Sequence, residues 1–124
     1  MGVLVLATVD TPEWHVRVDD VPSVRAFCHG DVVAVDAAGA PLRDPSLRRF
    51  LRVVERGGHQ PSLRVTHSLS DATAVDAWLE GLEHAGWRTR DDGRGVVWVA
   101  APVGVDARAV LQSAAWVTAV DSPA

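Results

Sequence analysis

Four polar side chains around a pair of glycines form the part of the sequence best suited to chemistry. Glu55, Arg56, His59 and Arg64 surround the turn at residues 57–58, which is Gly-Gly. Two glycines let the backbone fold tightly and let a ligand approach it closely. Arginine offers a bidentate fork to oxyanions, and histidine titrates near neutral pH. The set therefore predicts a surface that binds a carboxylate, a phosphate or an acidic partner side chain.

A purely structural turn is the alternative interpretation of the same residues. In that case His59 caps backbone carbonyls, while Glu55 and Arg56 pair across strands. If residues 47–55 form a regular strand that continues to Arg56, Arg48 and Arg52 share a face with Arg56, and Arg64 joins them from the neighbouring strand. Such a stripe suits an acidic partner surface, or is simply a solvated strand face with edge-protecting charge.

Other chemistries find less support in the sequence. Cys28 and His29 are adjacent on what would be extended chain, where side chains point in opposite directions, so we expect a buried structural cysteine instead of a catalytic pair. The five histidines are scattered without the Cys pairs or His-x3-His spacing of zinc sites. No Walker loop, dinucleotide fingerprint or Gly-x-Ser-x-Gly elbow is present, so the sequence predicts no metal and no cofactor.

Composition narrows the classes of partner. With 124 residues, 48% hydrophobic and 23% charged, the chain suits one compact globular unit. A net charge of −4 disfavours general nucleic-acid binding, and RNA recognition across a sheet would need a basic, aromatic-bearing face. The apolar run near the start is too short to span a bilayer and lacks a basic flank. With a single cysteine as well, we expect a cytoplasmic protein that does not enter membranes.

The first half of the chain predicts short strands. Residues 3–9 are almost wholly apolar, residues 14–18 alternate with period two, and residues 32–36 and 47–55 complete a set of four strands. Residues 21–28 predict a helical turn. The interpretation is a small antiparallel sheet or partial barrel.

The second half predicts alternating strands and helices. A strand begins at residue 63, and Ser68 or Ser70 caps a helix that buries a face of four residues before it stops at Gly86. Those four are Val75, Trp78, Leu79 and Leu82. A hairpin spans residues 87–100, with its turn at 91–95.

A second helix and a last strand complete this half. Asp106 caps the helix, whose inward residues are predicted to be Val110 and Leu111, and residues 116–120 form the strand. The order is βαββαβ, the ferredoxin-like pattern. The predicted fold is therefore α+β, with a small β-rich lobe at residues 1–60 packed against a ferredoxin-like lobe at residues 61–124 as one compact unit. The tryptophans along these elements are predicted to fill the core.

Three short segments stand out together: Gly-Asp-Val-Val at 30–33, Val-Val-Glu-Arg-x-Gly-His at 53–59 and Leu-Arg-Val at 63–65. On these segments, and over about residues 16–110, the chain resembles the uncharacterised bacterial family called domain of unknown function 4265. Gly57 stands where the family commonly has Ser, and Cys28-His29 are outside the shared pattern. The resemblance implies a bacterial protein and marks the turn, but it implies no activity.

Together these observations favour a non-catalytic binding or regulatory module that recognises a protein partner or an anionic ligand, and an immunity-type or accessory protein fits this description. Its predicted contact residues are Glu55, Arg56, His59, Arg64 and Arg52. The alternative is a small enzyme for an anionic metabolite, with His59 as general acid or base and Arg56 and Arg64 holding the substrate. A homodimer through an exposed strand edge also stays open.

Overall fold

The computed structural model of the chain describes residues 3–7, 12–36 and 50–123, with side chains described from residue 13 onward within those ranges. The protein is α+β, with eight strands and two helices in these segments. In chain order the elements are β1 (Val3–Ala7), β2 (Pro12–Arg17), β3 (Val32–Asp36), β4 (Phe50–Glu55), β5 (Leu63–His67), α1 (Ala72–His84), β6 (Arg88–Gly93), β7 (Val96–Ala100), α2 (Ala107–Gln112) and β8 (Val117–Asp121).

The first sheet contains β1 to β4 in chain order, and each strand is antiparallel to the next. The sequence predicted either a small sheet or a partial barrel. The observed strand order is that of a simple antiparallel meander. Alternating valines on β2, on the residue directly after it and on β3 form a small core. That core consists of Val16, Val18, Val33 and Val35, with Trp14, Phe27, Phe50 and Val53 packed against it.

The second sheet has the order β6-β7-β5-β8, and all its neighbouring strands are antiparallel. Both helices contribute to one core with the same face of this sheet, because Leu79 of α1 and Leu111 of α2 share a cluster with Val65, Val97 and Val99. Alternation along β7 sends Val97 and Val99 to the helices and Trp98 to the opposite face.

The loop after β2 packs on that opposite face. Val21 is 2% exposed and clusters with Trp98 and Ala100 of β7. At the edge of this contact, the Arg90 guanidinium donates to the Ser23 hydroxyl and lies 5.8 Å from the centre of the Trp98 ring. The first half of the chain therefore covers part of the sheet face that the helices leave open.

Three local predictions differ from the structure. Residues 21–28 form bends without a helix, because Val21 anchors them to the second sheet and the Cys28 N–H donates to a side chain instead of to a helical carbonyl. The cap of α1 is Asp71, whose carboxylate accepts from Thr73 N, and not Ser68 or Ser70. Val110 is 43% exposed, so the inward residues of α2 are Ala107 and Leu111.

Other predictions agree, and some lie beyond the described segments. The buried residues of α1 include Val75, Leu79 and Leu82, and Asp106 caps α2 as predicted. The start of the fourth predicted strand, including Arg48, lies outside the described residues. Neither α1 nor α2, the helices of the described segments, combines the length and apolar character that crossing a membrane requires.

Candidate functional site

Asp31 is the centre around which the glycine-rich turn is built. Its side chain is fully buried, directly before β3. Oδ1 accepts from Gly57 N at 2.8 Å, and Oδ2 accepts from Cys28 N at 2.8 Å and from Arg56 Nη1 at 3.2 Å. A buried carboxylate is tolerated only when such donors replace its water shell. Asp31 thus ties the end of the loop before β3 to the turn after β4.

The two loops touch through glycine backbones. A Cβ atom on Gly57 would lie 2.1 Å from the carbonyl carbon of Gly30, and one on Gly30 would lie 3.3 Å from the carbonyl oxygen of Gly57. The approach of these main chains is therefore closer than any side chain at residue 57 allows. The Gly-Asp at 30–31 and the Arg-Gly at 56–57, which are distant in sequence, form one structural unit.

Arg56 leaves most of its guanidinium open at this unit. Its side chain is 69% exposed, whereas that of Asp31 is 1% exposed, and the ion pair uses one nitrogen, Nη1. Arg17 reaches the same place from β2, because its Nη1 donates to the Gly30 carbonyl at 2.9 Å. Two guanidinium groups therefore stand beside the Gly30–Gly57 contact, and each is oriented by a bond to it or to Asp31.

His59 and His29 form an edge-to-face pair, with ring centres 4.9 Å apart and planes at 88°. His59 Nε2 lies 3.1 Å from the Gly86 carbonyl oxygen, and His29 Nδ1 lies 3.1 Å from the Asp20 carbonyl oxygen. Because a carbonyl only accepts, these contacts assign the proton to Nε2 of His59 and to Nδ1 of His29. Nδ1 of His59 is buried, without a hydrogen-bond partner among the described residues.

Cys28 is a buried thiol beside the same carboxylate. Burial, and then the negative charge of Asp31, raise the pKa of Cys28 above its ordinary value. A raised pKa disfavours the thiolate, which is the reactive form. This environment fits the expectation of a structural cysteine.

Arg52 belongs to a different ion pair. Its two terminal nitrogens donate to the two oxygens of Glu13 at 2.8 and 2.5 Å, and His15 Nε2 lies 2.9 Å from Glu13 Oε1. The hydrogen bond from Arg52, followed by that from His15, lowers the pKa of Glu13 from 4.5 to about 2. Arg52 is therefore engaged across β2 and β4, while Arg56 is engaged with Asp31.

Glu55 and Arg64 stand apart from the Asp31 unit. Glu55 is exposed at the end of β4, opposite Val32. Arg64 is exposed on β5, between Trp98 and Asp121 of the neighbouring strands, and its side chain forms no hydrogen bond or ion pair within the described segments. Of the predicted contact residues, Arg56 and His59 thus lie at the junction of the loops, and the other three lie on strands.

Asp31, Arg17 and His29 are the residues of this junction that the sequence reasoning did not select. The signal for Asp31 was its place in the Gly-Asp-Val-Val segment, which is part of the family resemblance. Arg17 and His29 gave no comparable signal, since their positions depend on contacts between distant segments. In the described part of the chain, no three His, Cys, Asp or Glu residues are grouped to hold a metal ion.

Comparison with known proteins identifies no relative of this chain. No family model matches the chain, and neither the curated proteins nor the solved structures contain a match.

Proposed function

We propose that this protein is a non-catalytic binding module that recognises an anionic group on a protein partner through Arg56. The observation that carries the proposal is the state of the Arg56 side chain, which is held at Nη1 by a buried carboxylate and is otherwise 69% exposed. A guanidinium that is already oriented loses less side-chain entropy when it binds a carboxylate. Its remaining N–H groups are the donors for the partner.

Neighbouring groups extend the recognition surface. Arg17 lies beside Gly30, and the His29–His59 pair joins the same two loops, one residue before Gly30 and two residues after Gly57. The negative charge of Asp31 is enclosed by its own three donors, so it competes little for the outer face of Arg56. In a chain of net charge −4, the local pair of guanidinium groups of Arg17 and Arg56 favours an acidic patch on the partner over a polyanion such as nucleic acid.

The geometry favours binding over catalysis by His59. A general base must offer a free ring nitrogen to the substrate. Here Nε2 is engaged with the Gly86 carbonyl and Nδ1 is buried. Arg64, the second arm of the substrate clamp, belongs to β5 of the second sheet, whereas Arg56 follows β4 of the first sheet. The enzyme alternative would need both residues to move.

We also propose that residues 61–124 form a ferredoxin-like unit and residues 1–60 a β-rich lobe. The order β6-β7-β5-β8, with both helices in one core against one face, supports this assignment. The single, buried cysteine is compatible with the cytoplasm. An accessory or immunity-type role, and kinship with domain of unknown function 4265, belong to the same proposal.

The test is capture of partners from lysate of the source cells at several salt concentrations, with mass spectrometry as the readout. Arg56→Gln is the informative variant, because an amide can still donate to Asp31 while the charge and fork are lost. Arg88→Gln, on the exposed surface of β6, removes one charge elsewhere and is the matched control. We expect one acidic partner that is retained by wild type and Arg88→Gln and lost by Arg56→Gln. Equal retention by all three proteins would refute the proposal.

A further inference from the structure

An apolar groove of about 550 Å³ runs along α1 and is lined by none of the residues of the Asp31 junction. Its floor consists of small residues, Ala74, Ala77 and Gly81, and its sides include Leu69 and Trp116. The volume lies within the range of about 300–1,000 Å³ that is usual for small-molecule sites. Gly81 leaves room here, because a Cβ atom at this residue would meet nothing within 4 Å.

Two indole rings form a corner of this groove. Trp78 and Trp116 are edge to face, with ring centres 6.0 Å apart and planes at 82°, and both rings are only partly buried. The His67 ring also packs against Trp78, with ring centres 5.5 Å apart and planes at 71°. The Trp116 Nε1 atom is buried, with no partner in the described part of the chain. The part of the Trp116 ring that lines the groove is therefore its carbon framework, and its N–H group is not available to a ligand.

The charge of α1 selects one kind of ligand for an aromatic corner. The exposed acidic residues of this helix are Asp76, Glu80 and Glu83, and its only basic residue is His84. His84 Nε2 lies 3.9 Å from Glu80 Oε1, and both side chains are largely exposed, so this contact leaves most of the Glu80 carboxylate open. Glu80 precedes Gly81 and lies one helical turn from Ala77, at the border of the groove. The carbonyl end of the helix adds partial negative charge near Gly81. Indole faces attract cations, and an acidic border raises their local concentration.

We propose that this groove binds a small organic cation with an apolar body, such as an alkyl- or arylammonium compound. The apolar body occupies the floor of alanines and glycine, and the ammonium group faces the indole corner and the carboxylate of Glu80. An anion is repelled by the Glu80 carboxylate, and a neutral apolar molecule forgoes the attraction of the ring faces. The site is independent of Arg56 and of its partner.

The test compares phenyltrimethylammonium with tert-butylbenzene, its neutral isostere, by NMR titration of the indole N–H resonances. We expect the cation to perturb the Trp78 and Trp116 resonances and to bind roughly 2- to 30-fold more tightly than the isostere. Equal or tighter binding of tert-butylbenzene would overturn the cation assignment. The absence of shifts with either compound would overturn the site itself.

Two variants locate the binding within the chain. Gly81→Leu fills the groove and improves helix propensity, so the protein stays folded while binding is lost. Glu80→Gln weakens the cation a few-fold and leaves the isostere unchanged, whereas Asp121→Asn on β8 changes neither. Undiminished binding by Gly81→Leu would show that the ligand sits elsewhere. Self-association can be measured by analytical ultracentrifugation. If the wild type self-associates and Gly81→Leu does not, the occupant of the groove is a second copy of the chain and not a small cation.

Discussion

Replacing Gly57 by alanine should destabilise the protein severely for a reason unrelated to backbone conformation. The new Cβ would lie 2.1 Å from Gly30 C, 2.3 Å from Gly30 O and 2.6 Å from Asp31 N. All three are backbone atoms, so no side-chain rotation relieves the overlap. The two loops must separate by more than about 1 Å before the contact reaches ordinary van der Waals distance.

That separation also acts on the Asp31 carboxylate. Overpacking of this kind costs about 1–3 kcal/mol. Weakening the bond from Gly57 N to a buried carboxylate adds about 1.5–3 kcal/mol, the usual value for a hydrogen bond to a charged group. We therefore expect Gly57→Ala to lower the free energy of unfolding by about 2.5–6 kcal/mol, the sum of these two ranges and a large fraction of the total for a chain of this size.

Gly58 is the matched control, because it is the adjacent glycine and its surroundings differ. A Cβ at Gly58 would meet nothing within 4 Å, but its φ is +89°. Gly58→Ala should therefore cost only about 1–2 kcal/mol, from the left-handed conformation alone. Urea unfolding followed by tryptophan fluorescence gives both values. A cost for Gly57→Ala equal to or below that of Gly58→Ala would refute the close approach of the two loops.

Three further predictions concern charged residues. Asp31→Asn should lower the free energy of unfolding by at least about 3 kcal/mol in the same assay, because an amide NH₂ would face donors; a loss below about 1 kcal/mol would contradict the three bonds. The pKa of Glu13 is lowered to about 2, so its stabilising effect is complete above pH 4.5 and disappears as the pH falls through about 2. Unfolding measured across that window should be steeper for wild type than for Glu13→Gln, and parallel curves would argue against the ion pair. Asp71→Ala should lower the free energy of unfolding by about 1 kcal/mol in thermal melts, because α1 loses its N-cap, whereas Ser70→Ala should have no effect. A larger loss for Ser70→Ala than for Asp71→Ala would show that the serine is the cap.

Much of the second half of the fold could be predicted because its signals are local. The spacing of Val75, Leu79 and Leu82 defines the buried face of α1, and the Asp106 cap is set by residues within one turn. The prediction failed where a tertiary contact overrides local preference. Val110 faces solvent because Ala107 and Leu111 already fill the inner face of the short α2.

The candidate site shows the same limit. Spacing alone could select Arg56 and His59, since they flank two glycines in one turn. It could not reveal that the carboxylate for Arg56 comes from Asp31, on a different strand connection, instead of from Glu55 next to it. Likewise, Trp78 and Trp116 were assigned to the core, and only their relation in space shows that they border a groove. These relations depend on strand pairing, which no local pattern encodes.

The order of strands in the second sheet has a consequence for how the protein is made. The first sheet joins strands that follow one another along the chain, so each can pair as soon as it leaves the ribosome. Strand β5 instead pairs with β7 and β8, both of which are synthesised later. Until those strands have been synthesised, neither edge of β5 has a partner strand. Along β5 the apolar Leu63 and Val65 alternate with the polar Arg64 and Thr66. That alternation lowers the tendency of a waiting strand to aggregate with other nascent chains.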